Sequence, residues 1–296
     1  MPTARILKPR GHYIIISPVR DEAAYIEGTL TSVIRQTLQP SQWVVVDDGS
    51  TDATPEILEQ FAQKTPWLRV VRRRDRGFRA AGSGVMDAFY AGLAAAQPGA
   101  WDFLVKLDGD LRFEPDYFER CLAKFEENPR LGIGGGVIYS AVGDRIVRER
   151  HPRFHVRGAT KIYRADCWKH IGDLPRAPGW DTLDEVKANM LGWQTYSFED
   201  VPLLQRRPTG EAAGQWRNWV KNGLACYLIG YHPLFMVARS MRRGLHPPYV
   251  IATAGAAWGF LSAALTRTPR VAEPVLVRYM QRQQLARLTG RSSIWR

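Results

Sequence analysis

The chain has 296 residues, 45% of them hydrophobic, and a formal net charge of +12. That length and apolar content allow a sizeable core, in one large domain or one domain with an appendage. Cys121, Cys167 and Cys226 are too widely spaced for a zinc motif or a disulfide framework, which fits a reducing, cytoplasmic setting. The charge is unevenly placed. From Val201 onward there are 14 Lys and Arg against 2 Asp and Glu, leaving 27 of each sign in the first 200 residues. The whole excess lies in the last third, so a balanced body is followed by a basic region suited to an anionic partner.

In chain order, the only apolar run near the start is Tyr13–Ile16, too short for a signal-peptide core. Tyr13–Ser17 reads as a strand. The spacing of Tyr25/Ile26, Leu30, Val33/Ile34 and Leu38 predicts a helix that stops near Pro40. Trp43–Val46 is a second strand, and Thr54 with Pro55 reads as an N-cap and first-turn proline opening a helix through Phe61. Leu68–Val71 is a third strand, Val85–Ala96 a helix and Phe103–Leu107 a fourth strand. Pro115–Phe125 is a further helix and Ile133–Tyr139 a further strand. Alternation of this kind predicts an α/β fold with a central, mostly parallel sheet flanked by helices.

From Trp216 the character changes. "GLACYLIGYHPLFMVARSMRR" and "YVIATAGAAWGFLSAALTRTPR" are apolar stretches that each end in arginines. The second holds about 17 uncharged residues, short of the roughly 20 that span a bilayer. Core or docking helices, a segment lying in a membrane interface, and a true span all remain open; flanking Trp, Tyr and Arg favour the interface.

Polar residues close each strand of the first half: "PVRDE", "VDDGSTD", "RRRDRGFRAAG" and "LDGD". Singly, each reads equally well as a solvated turn or a helix start. Together they place acids and arginines at the carboxyl edge of a parallel sheet, where ligands bind. Acids there can accept from a nucleobase and a ribose, and arginines can face a diphosphate. Asp108 and Asp110 are two apart on an extended chain and point the same way, so they repel unless a cation lies between them. Such a pair suits Mg²⁺ or Mn²⁺. There is no dinucleotide fingerprint and no GxxxxGK[ST] loop.

"IIISPVRDEAAYIEGTLTSVIRQTLQPSQWVVVDDGSTDATPEIL", "RDRGFRAAG" and "DFLVKLDGDLRFEPDYFE", in that order, closely resemble glycosyltransferase family 2, across roughly residues 12 to 210. The resemblance implies a Rossmann-like GT-A fold over residues 1–210, with a donor half at about 12–112 and an acceptor half at about 113–210. Residues 211–296 would form a helical, basic, membrane-associated region. It implies transfer of a sugar from a nucleotide-sugar donor to a glycan or lipid-linked acceptor, with Mn²⁺ or Mg²⁺. By the same resemblance, Pro18, Arg20 and Glu22 belong to the motif that contacts the donor nucleoside, and Asp48 reads the base. Gly77 and Arg79 border the diphosphate. Asp108 and Asp110 form the DxD motif, with Asp110 the direct metal ligand and Asp108 shared between ribose and metal. Gly109 would then be small so that the diphosphate can approach.

Inverting transfer also needs a base for the acceptor hydroxyl. "APGWDTLDEVKANMLGWQT" is the candidate segment. Thr182 and Glu185 have capping-box spacing, which makes Glu185 structural. Counting back from Gly192-Trp193, the resemblance puts the base at Asp181, with Trp180 in place of the usual first acid and Asp184 as the alternative. It also sets Gly158 and Ala159 against the sugar. "LLQRRPTG" supplies Gln205, Arg206 and Arg207, with Arg206 the candidate donor contact. His151, His155, His170 and His232 are scattered and read as structural. A non-catalytic sugar-nucleotide sensor and a nucleic-acid-binding protein are the alternatives. The second is disfavoured because the arginines flank apolar runs rather than a polar groove. The expected location is cytoplasmic, peripheral at the inner face of the cell membrane.

Overall fold

The computed structural model describes residues 11–78, 82–142, 145–149, 151–207, 214–244 and 249–295. The four apolar runs of the first half become neighbouring strands. β1 (Tyr13–Val19), β2 (Gln42–Asp47), β3 (Leu68–Arg72) and β4 (Phe103–Leu107) lie in the order β3-β2-β1-β4, every pair parallel. A parallel sheet covered on both faces needs apolar side chains at successive positions, and these strands supply them. Tyr13, Ile15, Trp43 and Val45 enter one core with α1 (Ile26–Ile34), α2 (Thr54–Ala62) and α4 (Tyr117–Glu127). Ile14, Ile16, Val44 and Val46 point the other way, onto α3 (Ser83–Ala95).

Beyond β4 the sheet becomes mixed. β8 (Thr160–Arg164) joins β4 antiparallel, β6 (Leu131–Val142) joins β8 antiparallel, and β9 (Gln194–Gln205) runs parallel to β6. β5 (Leu111–Arg112) pairs with the end of β9, and β7 (Arg145–Arg148) with the outer end of β6. α5 (Ala165–Ile171) and α6 (Trp180–Met190) complete this half. β4 is therefore the seam between the parallel and mixed halves, and "LDGD" follows its carboxyl end.

Two expected helix starts are displaced. Thr54 does not cap α2: its hydroxyl accepts from the Glu22 amide and bonds Asp52, and the N-cap is Ala53. Thr182 and Glu185 form no capping box. α6 begins earlier, after Gly179 in the left-handed conformation (φ 89°), and Glu185 is turned into the protein interior.

The basic region is helical: α7 (Gln215–Leu228), α8 (Pro233–Arg243), α9 (Tyr249–Leu265) and α10 (Pro274–Leu288). A third core joins Leu183 and Val186 of α6 to Cys226, Phe235, Phe260 and Met280 of these four helices. α7 and α9 pack almost backbone to backbone, since side chains at Gly223 or Gly259 would collide with the carbonyls of Ala256 and Val220. Among the described residues no helix is long and apolar enough to cross a membrane.

Candidate active site

The order of β1 to β4 brings four loops to one edge of the sheet, around a cavity of about 190 Å³. Pro18 comes from the end of β1 and Arg20 and Glu22 from the loop after it, Asp48 from the second loop, Arg76 from the third, and Asp108 and Asp110 from the fourth. Arg20 is buried and spans three of these loops. Its Nη1 donates to the Asp48 carbonyl at 2.7 Å and its Nη2 to Asp75 Oδ1 at 2.7 Å. Arg20 thus shapes the cavity wall. Asp48 Oδ1 accepts from Arg73 Nη1 at 2.7 Å and Arg76 Nη1 at 3.1 Å, and Arg76 Nη2 holds its Oδ2. Gly77, in the left-handed region at φ 78°, donates its amide to Asp75 Oδ1 at 2.8 Å, closing the third loop. Arg79 lies outside the described residues.

Around "LDGD" not every buried polar atom is satisfied: Asp110 Oδ1 and Gln205 Oε1 both lack a partner among the described residues. Lys106 is buried, holds Asp108 Oδ1, and donates to the Gly158 carbonyl at 2.6 Å. The Asp108 side chain is 32% exposed. Asp110 is buried; its Oδ2 accepts from Gln205 Nε2 at 3.1 Å, and its Oδ1 has no hydrogen-bond partner among the described residues. Burial and the charge of Asp108 push the Asp110 pKa up to about 6. A buried carboxylate oxygen without a donor, beside a second carboxylate, fits a divalent cation. Among the described residues no group of three or more His, Cys, Asp or Glu gathers to hold an ion. A two-carboxylate site suits Mg²⁺ or Mn²⁺, whose other positions go to phosphate and water. Gly109 is also constrained by packing. A side chain there would meet Val19 Cγ1 at 2.9 Å and Ile26 Cδ1 at 3.0 Å, so packing inside the protein requires the glycine.

The two candidate bases on α6 occupy different environments. Asp184 is 0% exposed, and its carboxylate accepts from Lys161 Nζ at 2.7 and 2.8 Å and from the Tyr163 hydroxyl at 2.6 Å. Burial pushes its pKa up to about 6, against Lys161 and Tyr163. It is saturated and faces inward, so it cannot reach an acceptor. Glu185 is equally enclosed, accepting from the Val156 amide at 2.6 Å and paired with Lys161 and His155. Asp181 is partly exposed and lies against Gly158, where a β-carbon would fall 3.2 Å from its Oδ2. Burial alone would raise its pKa, but His155, Lys161, Arg157 and Lys106 outweigh that and hold it below the ordinary carboxylate value. Trp180 is buried with its ring 5.6 Å from Lys106 Nζ and 5.5 Å from Lys161 Nζ, so one aromatic ring is near both cations. Gly158 touches Asp181 on one side and, through its carbonyl, the Lys106 that holds Asp108 on the other.

The late arginines divide unexpectedly. Arg206 is exposed and contributes its backbone amide, which donates to the Asp110 carbonyl at 2.8 Å. Arg207 instead lines the cavity: its Nη2 donates to Glu22 Oε2 at 2.8 Å and its guanidinium covers Tyr25 at 5.2 Å. Lys106 was also legible in principle, as a lysine in an apolar strand two residues before Asp108 and hence on its face. The four candidate histidines have structural partners: His151 with the Pro152 carbonyl, His155 with Glu185, His170 accepting from Trp193, and His232 capping α8. The edge as a whole combines carboxylates from three loops with arginines, and Asp181 stands apart from them beside Gly158.

The family described as Glycosyl transferase family 2 matches residues 14–177. An uncharacterized glycosyltransferase, EpsJ of Bacillus subtilis (strain 168), is 30% identical over 131 residues, which are 44% of this chain and 35% of EpsJ. The mannosyltransferase PcManGT from Pyrobaculum calidifontis, solved with GDP-Man and Mn²⁺, superposes with a TM-score of 0.56 at 20% identity. The match covers 99% of this chain and 80% of that one. S. aureus TarS 1-349 with UDP-GlcNAc gives 0.53 at 18% identity, covering 93% and 81%. These structural likenesses are of fold, the GT-A arrangement that the motif order predicts.

Proposed function

The chain belongs to glycosyl transferase family 2, and on that premise we propose a divalent-metal-dependent transferase. It moves a sugar from a nucleotide-sugar donor to a hydroxyl of a glycan or lipid-linked acceptor, with inversion, in cell-envelope or polysaccharide synthesis. The observation that carries the reading is Asp110 Oδ1, buried beside Asp108 without a donor among the described residues. Asp108 and Asp110 would hold Mn²⁺ or Mg²⁺, which when bound neutralises charge on the leaving diphosphate. Glu22 and Asp48 offer carboxylates to the nucleoside, within a wall set by Pro18 and Arg20. Arg76, next to Gly77, stands where it can exchange Asp48 for diphosphate oxygens.

Asp181 is the base. Its neighbouring cations keep it ionised at neutral pH, ready to take the acceptor hydroxyl's proton as that oxygen attacks the anomeric carbon. The direct displacement inverts that centre and leaves the nucleoside diphosphate. PcManGT with GDP-Man and Mn²⁺ and TarS with UDP-GlcNAc support a nucleotide-sugar donor and a divalent ion. The basic C-terminal helices support a peripheral position at the anionic cytoplasmic face of a membrane. A thermal-shift panel of nucleoside diphosphates with and without Mn²⁺ tests the donor site. One nucleotide should raise the melting temperature only when Mn²⁺ is present. No shift with any nucleotide would overturn the assignment.

A further inference from the structure

α9 is apolar around its whole circumference, although only half of it is covered. Ala252, Ala256 and Ala263 are buried, and Gly255 and Gly259 meet Trp219 and Val220 of α7. The opposite side carries Val250, Trp258, Leu261 and Leu265, recurring at helical spacing and all exposed, Val250 by 76% and Leu265 by 81%. Leu234, Val237 and Met241 form a similar exposed stripe on the adjoining α8. A helix with no polar face belongs in a core or at a lipid surface, and exposed apolar stripes on adjoining helices mark an interaction site.

We propose that this α8–α9 face is the surface by which the protein lies on an anionic lipid bilayer. The charge around it selects the occupant. Residues 214–295 contain eleven Lys and Arg and a single acid, Glu273. Arg242 at the end of α8 and Arg267 and Arg270 just beyond α9 are exposed beside the apolar stripes. A second copy of this chain would bring like charges together, whereas phospholipid headgroups complement them. The 17 residues of α9 extend about 26 Å at roughly 1.5 Å per residue, less than the roughly 30 Å of a hydrocarbon core. α9 therefore lies in the interface, with its outer stripe among the acyl chains and the arginines at headgroup level.

The surface is joined to the candidate active site. Ile229, at the end of α7, packs under Gly179, where a β-carbon would fall 2.6 Å from its Cγ2, and Gly179 starts the helix that carries Asp181. Docking thus fixes the height of Asp181 above the bilayer. This deepens the proposed membrane-surface acceptor and rests on it, but binding is read without any sugar transfer.

Flotation of the full chain with phosphatidylglycerol–phosphatidylcholine vesicles tests it. The protein should float with these vesicles and not with phosphatidylcholine alone, and should be released by salt. Trp258→Glu combined with Leu265→Glu should reduce the bound fraction about tenfold or more with an unchanged melting transition. Arg242→Gln combined with Arg267→Gln leaves the apolar stripes intact and should weaken binding to anionic vesicles. Brominated lipid should quench tryptophan fluorescence, and Trp258→Phe should remove that quenching. Failure of the wild-type protein to float, or flotation of both double variants at the wild-type level, would overturn the proposal. So would a wild-type dimer that the Glu variant dissociates, because the face would then be covered by a second copy. Flotation without any metal-dependent nucleotide shift would leave this surface standing and remove the transferase reading.

Discussion

Two clusters of acids, each built around a buried lysine, sit on either side of Gly158 and have opposite characters. In one, Lys161 donates to Asp184 and pairs with Glu185, and Tyr163, His155 and the Val156 amide complete every carboxylate. In the other, Lys106 holds Asp108 and the Gly158 carbonyl, while Asp110 Oδ1 has no donor among the described residues. Both clusters are acid-rich and both raise a carboxyl pKa to about 6. Saturation separates them. A closed network fixes the position of a helix, whereas an open one retains affinity for something from solution. Asp181 lends its carbonyl to Lys161, but its partly exposed side chain lies outside both networks, among their positive charges.

The sharpest way to break this distinction is Asp181→Asn. It should lower transfer by about 10²- to 10⁴-fold, the usual contribution of a general base, with nucleotide affinity retained. Loss of nucleotide binding in a calorimetric titration would place Asp181 in the donor site instead. Asp110→Asn should cost about 10³-fold, since several kcal/mol of charge stabilisation goes with the ion, and should abolish the Mn²⁺ signal in paramagnetic resonance titrations. Asp184→Asn should do the reverse. Removing one partner of a buried pair costs about 3–5 kcal/mol, read by urea denaturation, while donor binding to the folded protein persists.

Acid should act on the open cluster through Asp110. Below about pH 6 it is protonated, so Mn²⁺ affinity should fall roughly tenfold per pH unit there and level off above. The sign for stability without metal is opposite. A carboxyl whose pKa rises from 3.8 to about 6 on folding contributes fully below pH 3.8, and that contribution is lost as pH rises through about 6. Thermal melts across this range, with and without Mn²⁺, separate the two effects. The smallest effect should come from Gly109→Ala. Crowding Val19 and Ile26 should cost about 1–3 kcal/mol, with little change in nucleotide affinity if packing alone requires the glycine.

The open cluster was far more legible than the closed one. β4 lies where its apolar run predicts, and the acids that follow β1, β2 and β4 come together because consecutive parallel strands carry their ends to one edge. The closed cluster depends on β8 and α6 meeting, and nothing in the local pattern of "TKIYR" announces that its lysine will face Asp184. The same limit explains the displaced helix starts. Thr54 and Glu185 have the right neighbours for capping, but distant amides, those of Glu22 and Val156, claim their oxygens. Arg206 and Arg207 were inseparable by type, since only the direction of the chain leaving β9 decides which one turns inward. β5, two residues long, owes its existence to β9 rather than to its own sequence.

The guanidinium of Arg20 has a consequence for how the cavity fluctuates. It bonds the carbonyl at the end of β2 and the side chain beyond β3 while belonging to the loop after β1. If one of these loops lifts away, a buried cation loses a partner, and that cost falls on the other two loops as well. A lysine, with a single ammonium in place of the planar fork, would not hold both partners. The three loops should therefore open as one unit. Amide hydrogen exchange in these loops would show one shared opening free energy, and Arg20→Lys would split it into separate, lower values.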